Sequence, residues 1–335
     1  MLDQSRNLVT GYSLLLASSI LPISTAFAAN PEHLEHPHAA GTFMIEYQYM
    51  RMNMDGMRSG TDDIASTEVA KMVMADGLGY MMSPTTMSMD MHMLMPMYNI
   101  TKDISVMGML NYTQNKMGMI NMSGVKSDMT TSGLGDTGLN VNYKFSDDMF
   151  AASLTVSLPT GSIEEKATMM GTEQTAPYPM QLGSGTYDLT PALTYMGAYY
   201  DTRFGAQASY TYRAGSNASG YTLGNKANAN AWVARSVSKV NLRATVDYNR
   251  WGDIEGKDDT IMTNVMGGMM DGTPMAPTAF TNNYGGSNIE AGVKISTAIS
   301  MVNIGIEYSM PVYQDLNGVQ MKGANSIGVN LNTMF

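Results

Sequence analysis

Cysteine is absent from the 335 residues, so the fold relies on no disulfide, as suits an exported protein that is stable without them. Charge is scarce. Only 14% of residues are Asp, Glu, Lys or Arg, against the ~25% usual in soluble domains. What charge there is leans acidic, a net −10, which argues against a nucleic-acid partner. Long apolar runs and amphipathic helices are missing beyond about the first thirty residues, which argues against a soluble enzyme with a large core. No Gly-rich phosphate loop, nucleophile elbow or zinc-ligand spacing occurs either. The chain is therefore read as a non-enzyme. A barrel enzyme with Ser and His on its lipid side is the least favoured function.

What the chain does have is glycine, asparagine, serine, threonine and tyrosine, arranged with a period of two. Residues two apart share one face of a strand. "TFMIEYQYMRMNM" sets Phe43, Ile45, Tyr47 and Tyr49 against Met44, Glu46, Gln48, Met50 and Met52. "RFGAQASYTYR" puts Phe204, Ala206, Ala208, Tyr210 and Tyr212 on one side, and "VNLRATVDYNRW" does the same with Val240 to Tyr248. About twelve such segments alternate an apolar face with a face rich in Asn, Thr, Ser and charge, joined by alternately short and long connections. Polar inside and apolar outside is the membrane solution for a closed sheet. The fold class expected is all-β: a transmembrane antiparallel β-barrel of about twelve strands with both termini periplasmic, located in the bacterial outer membrane.

The two ends agree with this. Arg6, the apolar stretch Tyr12 to Ile23 and Ala26-Phe27-Ala28 read as a signal peptide over 1–28, followed by a periplasmic leader, 29–41, and the barrel, 42–335. The last strand alternates Ile327, Val329, Leu331 and Thr333 and ends on Phe335, which resembles the signal read by the barrel-assembly machinery. Lipid, lipopolysaccharide and a small-molecule solute are the other partners expected.

Several segments carry a resemblance: "HPHAAGTFMIEYQYMRMNMDGMRSGT", "SLPTGSI", "PYPMQLGSGTYDL", "GYTLG" and "MPVYQDLNG". Together they resemble the outer-membrane transporter family named for the meta pathway of phenol degradation, across about residues 36 to 335. The resemblance implies a barrel channel for small, often aromatic, molecules. The 36 methionines are similar to a methionine-rich subgroup with a link to copper.

"MSMDMHMLMPM" places methionine at every second position from Met87 to Met97. Lipid-facing Arg or Lys near mid-membrane costs roughly 2–4 kcal/mol and Asp somewhat less. The row is therefore expected to face lipid, with Asp90 and His92 facing the lumen. Met50, Met52, Met107 and Met109 should join them inside, where thioethers and an imidazole suit Cu(I). The alternative is that methionine merely fills lumen gaps. Further lumen polar residues expected are Glu46, Asp136, Lys144, Asp188, Arg203, Arg213, Arg243, Asp247, Glu290 and Glu307. His33, His36 and His38 of the leader are candidate metal ligands. The loop Pro177 to Leu189 is expected to be extracellular and to touch the pore entrance, and Cys labelling at Ser184 from outside would test it. A metal-binding outer-membrane protein, with the barrel as its anchor, is the alternative function to the channel.

Overall fold

The alternation becomes long antiparallel strands because each residue pair buries one side chain and exposes the next, while every backbone group pairs with a neighbouring strand. The computed structural model describes residues 34, 39–72, 79–169, 171–261 and 274–335. In chain order the strands are β1 (Phe43–Gly60), β2 (Asp62–Ile64), β3 (Met82–Asn99), β4 (Ile104–Asn121), β5 (Lys126–Leu134), β6 (Thr137–Phe145) and β7 (Phe150–Leu158). Next come β8 (Lys166–Met169), β9 (Thr172–Thr175), β10 (Tyr187–Tyr199), β11 (Thr202–Ala214), β12 (Tyr221–Thr222), β13 (Lys226–Val237) and β14 (Val240–Trp251). β15 (Glu255–Gly256), β16 (Gly286–Ile299) and β17 (Val302–Met334) complete the set. Among the described residues, the connections hold one short helix, α1 (Ser66–Val69), and two 3-10 turns, Tyr178–Met180 and Pro277–Ala279.

Strands β1, β3, β4, β6, β7, β10, β11, β13, β14, β16 and β17 follow one another round a ring that closes when β17 pairs with β1. β17 itself doubles back. Its first part pairs with β16 and its second with β1, so the wall has twelve staves. The reversal falls at Asn317-Gly318, where Gly318 takes φ +62°, the left-handed geometry that a tight Asn-Gly hairpin needs. The hydroxyls of Ser309 and Ser326 meet across it at 2.6 Å.

The start of β1 and the end of β17 lie at the end with the short turns, where the Phe43 amide donates to the Phe335 carbonyl at 3.1 Å. Outside, Leu139, Val141, Leu154, Leu193, Val246 and Ile295 form an exposed apolar belt. Tyr98, Tyr248 and Tyr308 stand exposed with it, but Tyr80 is buried in a loop, where its hydroxyl accepts a hydrogen bond from Asn283 at 3.1 Å. β5 and β6 act as one stave broken at Gly135-Asp136, where the outward set shifts from Leu134 to Leu139.

The upper connections do not simply project outward. The 159–186 connection turns into the barrel mouth, burying Tyr178, Met180, Leu182 and Ser184. Asp136, at the break between β5 and β6, pins it. Its carboxylate accepts from the Gly161 amide at 2.9 Å and from the Ser184 amide and hydroxyl, both at 2.8 Å. Gly183 packs so closely on Gly161 that a Cβ there would fall 2.4 Å from the Gly161 carbonyl oxygen. Ser184 is therefore inside the mouth, and the expected labelling of that position from outside is withdrawn. Of the leader, Leu34 is buried against Ala151, Met196 and Trp232. The signal segment and His33, His36 and His38 lie outside the described residues.

Candidate functional site: a methionine wall inside the barrel

The register of β1 on β3 decides which way the methionine row points. Met44 lies opposite Met97, Met50 opposite Met91, Met52 opposite Met89 and Met54 opposite Met87. Directly opposed residues share a face of the sheet. The β1 methionines share theirs with Glu46 and Gln48, which look inward: Glu46 is 1% exposed, and Gln48 donates to Glu307 across the closing seam at 3.1 Å. The row from Met87 to Met97 is therefore luminal, each member 1–5% exposed.

This corrects the expected orientation of the strand. Asp90 and His92 are on the outer face, not in the lumen. Asp90 faces Arg51 at 3.4 Å and accepts a hydrogen bond from the Tyr49 hydroxyl at 2.6 Å. His92 Nδ1 meets the Tyr47 hydroxyl at 2.7 Å. Below them the outer face continues with Leu94, Pro96 and Tyr98, and on β4 with Leu110 and Tyr112. The charge sits at the upper rim of the apolar belt, where exposure to the membrane costs only about 0–1 kcal/mol, and it is partnered there. The mid-membrane penalty never applies.

The wall extends over four strands. β4 brings Met107, Met109, Met117 and Met119 to the same face, with Met97 opposite Met107 and Met87 opposite Met117. β5 adds Met129 opposite Met117. An upper rung, Met54–Met87–Met117–Met129, and a lower rung, Met44–Met97–Met107, result. Met57 lies opposite Met321 of β17, and the loops contribute Met180 and Met275 to the same cluster. Of the metal set read from the sequence, Met50, Met52, Met107 and Met109 are inside, and Asp90 and His92 are not. Sequence reasoning placed Met54 inside as well, but missed Met57, the Met87–Met97 row and Met321. The deciding partner is Arg51, on the outward face of β1 and directly opposite Asp90.

The remaining staves carry the polar wall. Arg213 and Asp188 form a buried ion pair at 2.5 Å, with side chains 1% and 5% exposed. Asp247 accepts from Asn230 at 2.6 Å, and Glu290 from Asn288 at 2.5 Å. Arg243 lies 5.3 Å from the Trp232 ring centroid. Lys144 is buried on the inner face of β6, and Arg203 shares the inward parity of Arg213 on β11. Above the barrel the rings of Tyr178 and Tyr221 meet edge to face at 4.8 Å, and those of Tyr178 and Tyr284 at 5.5 Å. Burial pushes all three phenols above their ordinary pKa. Between this cap and the methionine wall lies a cavity of about 40 Å³, bordered by Met54, Met87, Met89 and Met321.

Among known proteins, no family model and no curated sequence matches the chain. Solved structures do match. The COG4313 outer membrane channel from Pseudomonas putida F1 is 12% identical, with 92% of this chain and all of that one covered at a TM-score of 0.62. With the closed ring and the apolar belt, that decides the architecture. The chain is an outer-membrane β-barrel. The TodX monoaromatic hydrocarbon channel deltaS2 mutant is a weaker likeness, 10% identical over 95% of this chain and 96% of that one at a TM-score of 0.48. At such identities the likeness is one of fold, so what this barrel carries must be argued from its own lumen. Among the described residues no three of His, Cys, Asp and Glu converge as a metal site.

Proposed function

We propose that this barrel is an outer-membrane channel for small apolar or aromatic molecules, with the methionine wall as the surface along which they move. The observation that carries this is the wall itself: an all-methionine inner face on β3, flanked by methionines at both ends of β1 and β4 and interrupted there by Glu46, Gln48, Asn111, Thr113 and Asn115, inside a closed barrel whose other staves are polar. A water-filled sugar or ion pore has no use for so much apolar interior. Methionine has three rotatable bonds and a polarisable sulfur that favours aromatic edges by ~0.3–1.5 kcal/mol per contact, so it can repack around passing solutes of different shape.

Uptake of labelled toluene or phenol by proteoliposomes, compared with a sugar of similar mass, tests the proposal. Faster entry of the aromatic than of the sugar is expected. Replacing Met91, Met93 and Met95 by Ser should cut aromatic entry, measured on protein whose heat-modified migration shows it folded. Equal rates for aromatic and sugar, or no change in the Ser variant, would count against it. A second reading, a metal-binding barrel linked to copper, is favoured by one specific observation: the same interior gathers eighteen buried methionines in one cluster, and thioethers prefer Cu(I) to hard cations.

A further inference from the structure

We propose that Met54, Met87, Met89 and Met321 form a binding site for one soft monovalent ion, Cu(I) or Ag(I), beneath the loops that cap the barrel. This rests on the second reading above and gives it an address. The four residues come from three adjacent staves. Met54 and Met87 are directly opposed, Met89 is the next inward residue on β3, and Met321 comes from the stave on the other side of β1. All four are buried, 1–6% exposed, and all border the same cavity of about 40 Å³.

That volume is large enough for a small guest, and its chemistry favours an ion held by sulfur over water. An ordered water needs two to four polar partners. Most polar neighbours of this cavity are already committed. Asn283 donates to the Tyr80 hydroxyl at 3.1 Å and to the Pro277 carbonyl at 3.0 Å, and accepts from the Val319 amide at 3.2 Å. Both Gln320 amide donors are taken, by the Gly285 and Asn317 carbonyls, each at 2.7 Å. The Tyr284 hydroxyl donates to the Thr278 carbonyl. Beside these groups, the Gln320 side-chain carbonyl and Thr278, the lining is the four methionines with Pro179 and Val319. No carboxylate or imidazole borders it, so Mg(II), Ca(II) and Zn(II) have no suitable ligand there. Thioethers carry no proton in this range, so binding should be insensitive to pH where histidine titrates. Methionine as packing alone accounts for the wall, but not for four methionines gathered round one space whose polar rim is largely satisfied internally.

The test uses the full barrel refolded in lipid, titrated with Cu(I) under ascorbate and separately with Ag(I), with Zn(II) as control. The expected result is one bound Cu(I) or Ag(I) equivalent with sulfur-only coordination by X-ray absorption, unchanged through the histidine range, and none for Zn(II). The equivalent is lost in the Met54→Leu/Met87→Leu/Met89→Leu/Met321→Leu variant and kept in Met44→Leu/Met97→Leu/Met107→Leu, at the far end of the same wall. Heat-modified migration confirms that each variant is folded. Should the quadruple variant not fold, Met54→Leu/Met321→Leu carries the test. No Cu(I) or Ag(I) bound by wild type overturns the second reading and the site together. Binding by wild type that survives in the folded upper-end variant overturns this site alone and leaves the second reading standing. Nitrogen or oxygen in the coordination shell also overturns it.

Discussion

Arg51 and Asp90 face each other at 3.4 Å on the outer surface of the barrel, and that pairing fixes the lumen. They are directly opposed in the β1–β3 register, so the residues flanking each of them, Met50, Met52, Met89 and Met91, must all turn inward. A row of thioethers that could have met lipid instead forms the inner wall.

The first consequence concerns the wall. Met91 is 1% exposed, and replacing it by Ala removes buried methylenes and sulfur, which should cost ~2–5 kcal/mol. Met91→Leu keeps the volume and should cost less than about 1.5 kcal/mol. Urea unfolding midpoints in lipid vesicles measure both. A lipid-facing Met91 would instead leave both variants close to wild type.

His92→Leu should be nearly silent for metal binding and solute entry. The side chain lies outside, and the change loses only its contact with Tyr47, worth ~0.5–1.5 kcal/mol. Loss of the Cu(I) equivalent in His92→Leu would place the imidazole in the site and overturn the outward orientation of His92.

Asp136 should hold the inserted loop. Its carboxylate takes three hydrogen bonds from Gly161 and Ser184. Asp136→Ala leaves those donors without their acceptor, at about 1–3 kcal/mol for the loop. Single-channel recordings should show larger and more frequent openings, and limited proteolysis should cut within 159–186. An unchanged conductance would mean that the loop is held by its other contacts.

The Asp188–Arg213 pair is buried on both sides, so removing one partner strands a charge. Arg213→Met should destabilise by ~3–5 kcal/mol, and adding Asp188→Asn should recover much of it. Additive losses in the double variant would show that the two do not act as a unit.

The capping tyrosines set an alkaline limit. Burial raises the phenols of Tyr178, Tyr221 and Tyr284, so the folded cap holds its protons where the unfolded chain has lost them. Their contribution is complete below the ordinary phenol value of about 10 and falls as pH rises through the raised folded values. Phenolate absorbance and conductance, followed together above that value, should show the channel opening as the cap ionises. Tyr178→Phe/Tyr221→Phe/Tyr284→Phe should abolish that transition, and its persistence would exclude the cluster as the cause.

The sequence by itself determined the barrel. Period-two alternation, scarce charge and missing apolar runs leave a closed membrane sheet as the one way to satisfy every backbone group, and the twelve staves follow from the turn spacing. It also identified the interior of most staves, because Ser153, Thr155 and Ser157 against Leu154 and Val156 admit one orientation only. It did not determine which face of β3 looks inward. Both faces there are apolar enough to meet lipid, and one Asp and one His decide the matter through their height and their partners. Height comes from how far the strand rises past the belt, and partners come from register with a strand some forty residues away. The folding of the 159–186 connection into the mouth was hidden for the same reason: its anchor, Asp136, belongs to another stave, and only the closed barrel brings the two together.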